Sequence, residues 1–229
     1  MSPVEPVWRV FSARSSLLDA AVEVIRRVEA GSGATFSIVL AGGRTPLALY
    51  QRLAREPMRW EKWRVYFGDE RCLPPEHPER NTLQAQKALL EQVPIAPEHI
   101  FTPPAELGPA QAASRYGAVL ADVGEFDLVL LGLGEDGHTA SLFPGRDIGE
   151  EPNAPDVLPV FDAPKPPLER ISLSARRLSR ARQVLFLVNG ESKREAVMRW
   201  RRGEPLPAAR ISASEAVRVL ADRAACPDG

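Results

Sequence analysis

The sequence predicts an α/β fold in which helices cover both faces of a parallel β-sheet. Short runs rich in β-branched and aromatic residues alternate with longer segments of helical periodicity, and this alternation is typical of strand–helix–strand units. Several of the short runs are apolar without interruption, as in strands buried on both faces of a parallel sheet. The chain has 229 residues, 44% of them apolar, and a chain of this length buries about 70–75% of its unfolded surface.

Six strands and six helices follow from these patterns. The predicted strands are Val7–Phe11, Phe36–Leu40, Arg64–Phe67, Asp127–Leu131, Arg170–Leu173 and Val184–Val188. The predicted helices are Ser15–Glu29, Pro46–Arg55, Asn81–Gln92, Pro109–Val123, Ser192–Arg202 and Ser214–Asp222. In the first helix, apolar residues recur at helical spacing from Leu18 to Val28, and Gly31 and Gly33 end the pattern.

Two proline-rich stretches, Pro94–Pro109 and Pro144–Pro167, interrupt the alternation and are predicted to be surface loops. Neither has the Gly/Ser composition of a flexible linker, and the strand pattern resumes after each of them. The sequence contains no internal repeat. We therefore expect residues 1–229 to form a single domain.

The charge balance argues against nucleic acid and membrane partners. The chain has 29 basic and 30 acidic residues, a net charge of -1, whereas polyanionic partners require a basic excess or patch. No apolar run approaches the ~20 residues of a membrane span, and no signal peptide is visible. The two cysteines, Cys72 and Cys226, are too few for a disulfide framework. The expected location is the cytoplasm.

The ligands of doubly wound sheets bind beyond the carboxyl ends of the strands, and four segments fall there. The first is AGGRTP at Ala41–Pro46, directly after the strand Phe36–Leu40. Its two glycines permit a tight turn, Thr45 suits a helix N-cap, and Pro46 suits the first helical position. Free N–H groups at such a helix start bind anions. The same residues also suit an ordinary strand-to-helix turn, so both interpretations stay open.

Charged residues mark two further segments. GDER at Gly68–Arg71 follows an aromatic strand. Its two carboxylates, Asp69 and Glu70, and the guanidinium of Arg71 could orient ligand hydroxyls or assist proton transfer, or could form a solvated loop with a local ion pair. Arg170 opens a predicted strand, and Lys193 lies in the first turn of a predicted helix, where a cation opposes the helix dipole. An anionic ligand would offset that cost, but Lys193 could equally be a surface lysine.

The remaining segment, GLGEDGHTAS at Gly132–Ser141, follows a buried strand and carries the best candidate for an acid–base residue. It contains G-x-G-x-x-G, but its two acidic residues would face the pyrophosphate, so we reject dinucleotide binding. His138 can exchange a proton near neutral pH, and Asp136 could fix its tautomer. The alternative is a loop histidine that only caps a helix. His77 and His99 lie in proline-flanked loops and are expected at the surface.

Several reaction classes lack their sequence motifs. The chain has no G-x-S-x-G, no H-E-x-x-H and no G-x-x-x-x-G-K-[ST]. No cluster of Cys and His has the spacing of zinc ligands. These absences argue against a serine hydrolase, a zinc peptidase and a P-loop nucleotidase.

Taken in order, these segments resemble the 6-phosphogluconolactonases, within the larger group that includes glucosamine-6-phosphate deaminases. The matching motifs are AGGRTP at Ala41–Pro46, GDER at Gly68–Arg71, LGLGEDGHTASLFPG at Leu131–Gly145, PKPPLERISLS at Pro164–Ser174 and NGESK at Asn189–Lys193. The resemblance implies a Rossmann-like three-layer α/β/α sandwich with a mostly parallel sheet. It also implies hydrolysis of 6-phospho-D-glucono-1,5-lactone to 6-phosphogluconate in the pentose phosphate pathway, without metal or cofactor.

The resemblance also implies a role for each matching residue. It assigns phosphate binding to Gly42, Gly43, Arg44, Thr45, Arg170 and Lys193. It places Asp69, Arg71, Asp136 and His138 around the sugar ring. We expect His138 to deprotonate water and later protonate the ring oxygen, Asp136 to orient it, and Arg71 or amides near Gly137 to stabilise the oxyanion. The expected partner is the sugar-phosphate lactone, bound by a monomer or weak homodimer.

Two other functions are alternatives to lactone hydrolysis. A deaminase shares the phosphate loop and the Asp-Gly-His turn, but Phe143 stands where deaminases typically have a glutamate that assists ring opening. A sugar-phosphate sensor would often lose the acid–base pair and carry a DNA-binding unit, for which the strand at Val7 is expected to leave no room. The chain departs from lactonases at Arg80 and Arg44, where those enzymes often have serine. Arg80 is expected to add a charge near the pocket.

Overall fold

A computed structural model describes residues 4–227 and has two β-sheets. The strands of the larger sheet are β1 (Val7–Phe11), β2 (Phe36–Leu40), β3 (Trp63–Phe67), β5 (Phe126–Gly132), β8 (Ala181–Val188) and β9 (Ala216–Asp222). The strands of the smaller sheet are β4 (Asp69–Arg71), β6 (Val157–Val160) and β7 (Arg170–Leu173). The larger sheet has the order β1-β9-β8-β5-β2-β3, and all of its neighbouring strands are parallel. The smaller sheet has the order β4-β7-β6 and is antiparallel.

Helices cover both faces of the larger sheet. They are α1 (Arg14–Gly31), α2 (Arg44–Leu53), α3 (Asn81–Ala85), α4 (Pro109–Leu120), α5 (Ala175–Ser179) and α6 (Arg194–Arg201), and a π-helical turn at Gln86–Leu90 continues α3. Along β5, Leu128 and Leu130 pack in one apolar cluster with α1 and α2, whereas Val129 and Leu131 pack in a second cluster with α4 and α6. This alternation confirms the predicted three-layer α/β/α architecture. Within residues 4–227, no helix is long and apolar enough to cross a bilayer.

The structure corrects several of the predicted elements. The predicted helix Ser214–Asp222 is wrong: Ala216–Asp222 form β9, which pairs in parallel with both β1 and β8. The β-branched alternation at Val217 and Val219 is a strand pattern, and it outweighs the helical spacing. Arg170–Leu173 is a strand, as predicted, but belongs to the antiparallel sheet. The predicted loop Pro144–Pro167 contains β6.

Two helix starts also differ from the prediction. Gly43, not Thr45, is the N-cap of α2, so Pro46 is the third helical residue rather than the first. Gly43 has a φ of 107°, a conformation that glycine adopts without a steric cost. Lys193 ends a 3₁₀ turn and is itself the N-cap of α6.

The strand order creates a crevice at the carboxyl ends of β2 and β5. The next strand of this sheet after β2 is β3, on one side, and the next strand of this sheet after β5 is β8, on the other, with β6 and β7 of the smaller sheet between them in the chain. Loops that leave neighbouring strands in opposite directions open a cleft between them, and ligands of such sheets bind there. The turn that begins at Ala41 and the loop that begins at Leu133 both start at this point.

Candidate active site

A cavity of about 220 Å³ lies in this crevice. Its wall brings together most of the residues that the sequence assigned to a site: Gly42, Gly43, Asp69, Arg71, His138, Arg170 and Lys193. Asp136 lies beside His138 in an adjoining chamber of about 580 Å³. The side chains of Arg44 and Thr45 are not part of the wall, and Arg44 is exposed.

The Asp136–His138 pair is built by one tight turn after β5. The turn is closed by a hydrogen bond of 2.7 Å from the Gly134 N–H to the His138 carbonyl, and Gly137 has a φ of 94° within it. Asp136 Oδ1 accepts a 3.1 Å hydrogen bond from the His138 backbone N–H and lies 2.5 Å from His138 Nδ1. Since a carboxylate accepts hydrogen bonds, this contact assigns a ring proton to Nδ1, and in the neutral imidazole Nε2 is then the proton acceptor.

The surroundings of His138 hold the ring in place. A methyl group at Gly134 would lie 2.0 Å from Nδ1, so only glycine fits beneath the ring. The Phe143 ring also packs against the imidazole, with 4.9 Å between the ring centroids. Partial burial alone would raise the pKa of Asp136, but the hydrogen bonds and charge of His138 outweigh it and lower that pKa. Asp136 is therefore ionised and His138 keeps its orientation at neutral pH.

Two guanidinium groups line the cavity together, and neither forms an ion pair with a carboxylate of residues 4–227. Arg71 in β4 and Arg170 in β7 are directly opposite each other in the antiparallel pair, and both line the two chambers. Within residues 4–227, their side-chain hydrogen bonds go to backbone carbonyls: Arg71 donates to Glu79, and Arg170 donates to Lys165 and Pro167. Like charges at opposed positions destabilise a strand pair, so this arrangement favours an anion in the cavity.

A second source of positive potential faces the same cavity. The first-turn N–H groups of α2 lie just beyond Gly42 and Gly43, where a helix start carries partial positive charge. Lys193 lines the same cavity, and burial lowers the pKa of its ammonium group against the attraction of Glu135. The exposed ion pair between Lys165 and Glu135 spans 3.4 Å, and both residues line the cavity.

The two carboxylates of the GDER segment have different surroundings. Asp69 lines the cavity, and its two carboxylate oxygens accept hydrogen bonds from Ser141 Oγ at 2.7 Å and Asn81 Nδ2 at 3.1 Å. Glu70 is fully buried and accepts hydrogen bonds from the backbone N–H groups of Asn81 and Thr82 at the start of α3. Glu70 therefore fixes α3 against β4.

Arg80 differs from the expectation. Its side chain is 4% exposed and pairs with Glu70, with 3.1 Å between Nε and Oε2. It also donates to the carbonyls of Leu73 and Pro103. Arg80 is not part of the cavity wall, so it compensates a buried carboxylate rather than adding charge to the pocket.

The sequence interpretation missed four polar residues near the cavity: Glu135, Lys165 and Asn81 in its wall, and Ser141, which contacts Asp69. Lys165 could have been identified from its place in the PKPPLERISLS segment, which is one of the matching motifs. Nothing local identifies Asn81 or Ser141, since their contacts are with Asp69 on another strand. In residues 4–227, no group of three or more His, Cys, Asp or Glu side chains could hold a metal ion.

Together the fold and cavity define a class of protein: a three-layer α/β/α sandwich with a cation-rich cavity and an Asp–His pair at the carboxyl edge of its parallel sheet. Residues 12–220 match the family model described as glucosamine-6-phosphate isomerases/6-phosphogluconolactonase. The 6-phosphogluconolactonase of Streptomyces coelicolor is 41% identical over 179 residues, which cover 70% of this chain and 68% of that protein. The human 6-phosphogluconolactonase is 33% identical, over 92% of this chain and 88% of that protein.

Solved structures agree with the sequence comparisons. The 6-phosphogluconolactonase of Thermotoga maritima superposes with a TM-score of 0.88 at 26% identity, covering 95% of this chain and all of that one. A monomeric glucosamine-6-phosphate deaminase has the same fold, with a TM-score of 0.84 at 21% identity over 96% of this chain and 99% of the other. The chain belongs to the glucosamine-6-phosphate isomerase/6-phosphogluconolactonase family.

Proposed function

We propose that this protein hydrolyses 6-phospho-D-glucono-1,5-lactone to 6-phosphogluconate, with His138 as the general base. The observation that carries the proposal is the 2.5 Å contact between Asp136 Oδ1 and His138 Nδ1, beside a cavity with an excess of cationic groups. The names of the 33–41% identical relatives support the substrate. We further propose that residues 1–229 act as one domain in the cytoplasm and need no metal.

In the proposed reaction, a water oxygen attacks C1 of the lactone while His138 Nε2 takes the water proton. Asp136 stabilises the imidazolium that forms, since its carboxylate accepts the hydrogen bond from Nδ1. The C1–O5 bond then breaks, and His138 returns the proton to O5. The product carboxylic acid releases its own proton to solvent. Arg71 lies in the same wall as His138 and stabilises the negative charge on the carbonyl oxygen.

The phosphate is proposed to lie at the other end of the cavity, against the backbone N–H groups of the Gly42–Gly43 turn. Lys193 and Arg170 complete this site. Arg44 and Thr45 would then contribute N–H groups at the start of α2 rather than side chains. Asp69 is proposed to accept hydrogen bonds from sugar hydroxyls, since Ser141 and Asn81 already hold its carboxylate.

A deaminase reaction lacks one of its acids here. In place of the deaminase glutamate stands Phe143, which is 4% exposed and packs between His138 and Arg170, with the guanidinium carbon 5.7 Å from the ring centroid. An aromatic ring cannot transfer a proton, so the geometry favours hydrolysis of the lactone.

The test generates the lactone in situ from glucose 6-phosphate with an excess of its dehydrogenase. Lactone loss is followed at slightly acidic pH, where spontaneous hydrolysis is slower, with wild type, His138→Ala or no protein. We expect wild type to exceed the blank and His138→Ala to lower kcat by roughly 10²–10⁴-fold. Equal rates for the two proteins would remove His138 from the mechanism. A wild-type rate equal to the blank would refute the lactonase activity, and glucosamine 6-phosphate would be tested next.

A further inference from the structure

Asn81 is a buried side chain in contact with both ends of the proposed substrate site. It is 3% exposed and is the first residue of α3. Its Nδ2 donates to the Asp69 carbonyl at 3.0 Å and to Asp69 Oδ1 at 3.1 Å. Because both partners are acceptors, the orientation of the amide is settled by its hydrogen bonds. Both Nδ2 hydrogens are therefore committed to Asp69.

The other half of the amide faces the Gly42–Gly43 turn. Within residues 4–227, Asn81 Oδ1 is buried and accepts no hydrogen bond. A Cβ at Gly42 would lie 2.1 Å from Oδ1 and 2.5 Å from Cγ of Asn81. The backbone of the turn therefore packs directly on the amide. An unpaired buried acceptor is costly, so the amide oxygen is held against the turn by packing and by the two Nδ2 hydrogen bonds, with no hydrogen bond of its own.

We propose that Asn81 is a positioning residue that couples the Gly42–Gly43 turn to Asp69. A phosphate bound at the turn fixes the position of the turn's backbone, and the backbone fixes the position of the Asn81 amide. The two Nδ2 hydrogen bonds then fix the orientation of the Asp69 carboxylate at the sugar ring. Interiors are packed densely enough to transmit such displacements. This inference rests on the proposed function and adds that the phosphate contributes to turnover through Asn81 as well as to affinity.

The coupling predicts a change in selectivity between two lactones that differ only in the phosphate. kcat/KM is measured for 6-phosphogluconolactone and for glucono-1,5-lactone, each corrected for spontaneous hydrolysis. We expect Asn81→Ala to lower the ratio of the two values about 10-fold, the worth of one to two hydrogen bonds. Gly42→Ala should lower the ratio similarly, because the added Cβ displaces the Asn81 amide from the side of the turn. Gly33→Ala, whose Cβ meets nothing within 4 Å, should leave it unchanged.

Ser141→Ala is the matched control for a role confined to Asp69. It removes the other side-chain hydrogen bond to the carboxylate, Ser141 Oγ to Asp69 Oδ2, but leaves the link to the turn intact. It should lower kcat/KM for both lactones by the same factor. If Asn81→Ala also lowers both equally, or changes neither, the coupling is wrong. A wild-type ratio in Gly42→Ala would overturn it independently, even if Asn81→Ala fails to fold.

Calorimetric titration separates this inference from the proposed function. The affinity ratio for 6-phosphogluconate and gluconate does not depend on turnover. If wild type hydrolyses neither lactone, the lactonase proposal fails. The coupling still stands if Asn81→Ala reduces that affinity ratio and Ser141→Ala does not, and it falls if both variants keep the wild-type ratio.

Discussion

Gly134→Ala would displace the His138 ring by adding a single methyl group. Gly134 does not have a positive φ, so alanine does not meet the strain of a left-handed backbone there. The added Cβ would lie 2.0 Å from Nδ1, 2.2 Å from Cε1 and 2.6 Å from Cγ of His138. Since non-bonded carbon contacts are about 3.5–4.0 Å, the ring has to move by more than about 1 Å. Its hydrogen bond to Asp136 is then lost.

The expected loss is large for catalysis and small for stability. A misplacement of about 1 Å can cost on the order of 10²-fold in rate, which corresponds to about 2.7 kcal/mol in the activation free energy. The His138 side chain is 28% exposed, so the ring can turn outward without disrupting the core. Loss of one hydrogen bond lowers the free energy of unfolding by about 1 kcal/mol, and Tm falls by roughly 2–4 °C in a domain of this size.

The assay compares kcat for lactone hydrolysis and Tm in wild type, Gly134→Ala and Gly117→Ala. Gly117 is a glycine of α4 whose added Cβ would contact nothing within 4 Å, so this control should keep wild-type kcat. Since the three atoms nearest to the added methyl group all belong to His138, KM for the lactone should change little in Gly134→Ala. A kcat within about twofold of wild type would refute the argument that the ring position determines the rate.

Three further predictions concern stability and ionisation. Arg80→Ala should lower the free energy of unfolding by about 3–5 kcal/mol in urea denaturation, because Glu70 stays buried without its partner; a loss below about 1 kcal/mol would contradict this. His138→Ala should raise the pKa of Asp136 in a ¹³C NMR titration, since burial already raises that pKa and the lowering contacts come from His138. A carboxylate whose pKa is lower in the folded than in the unfolded chain stabilises the fold at a pH above its unfolded pKa, and this stabilisation is lost as the pH falls. Below about pH 4, Tm should therefore fall more steeply in wild type than in His138→Ala. Cys72 should react slowly with a disulfide reagent at pH 8, because burial and the charge of Glu169 raise its pKa to about 12, and rapid labelling of the native protein would contradict this.

The parts of the molecule that could be predicted are those encoded by neighbouring residues. Asp136 and His138 are two positions apart, so one turn brings them together without contacts from distant parts of the chain. Apolar runs such as Phe36–Leu40 also indicate from their own residues that the strand is buried. The segment of β9 is harder to assign, because a short apolar run fits both the helical and the strand period; the alternation at Val217 and Val219 favours a strand, and the pairing with β1 and β8 stabilises it.

The contacts that could not be predicted join residues far apart in the chain. Glu70 caps α3, and Asn81 holds Asp69, only because β4 and α3 lie side by side. In the sequence, Glu70 looks like a second acid of the site and Arg80 looks like an additional pocket charge. In the fold they neutralise each other away from the cavity.

The small antiparallel sheet explains why the site depends on residues that are individually uninformative. Arg71 and Arg170 face each other only because β4 pairs with β7 in this register. A shift by one residue would turn one of these side chains to the opposite face of the sheet. The paired cations cost stability in the absence of a ligand, and an anion between them recovers that cost. The sheet therefore favours the liganded state of the cavity, through a pairing that neither segment reveals alone.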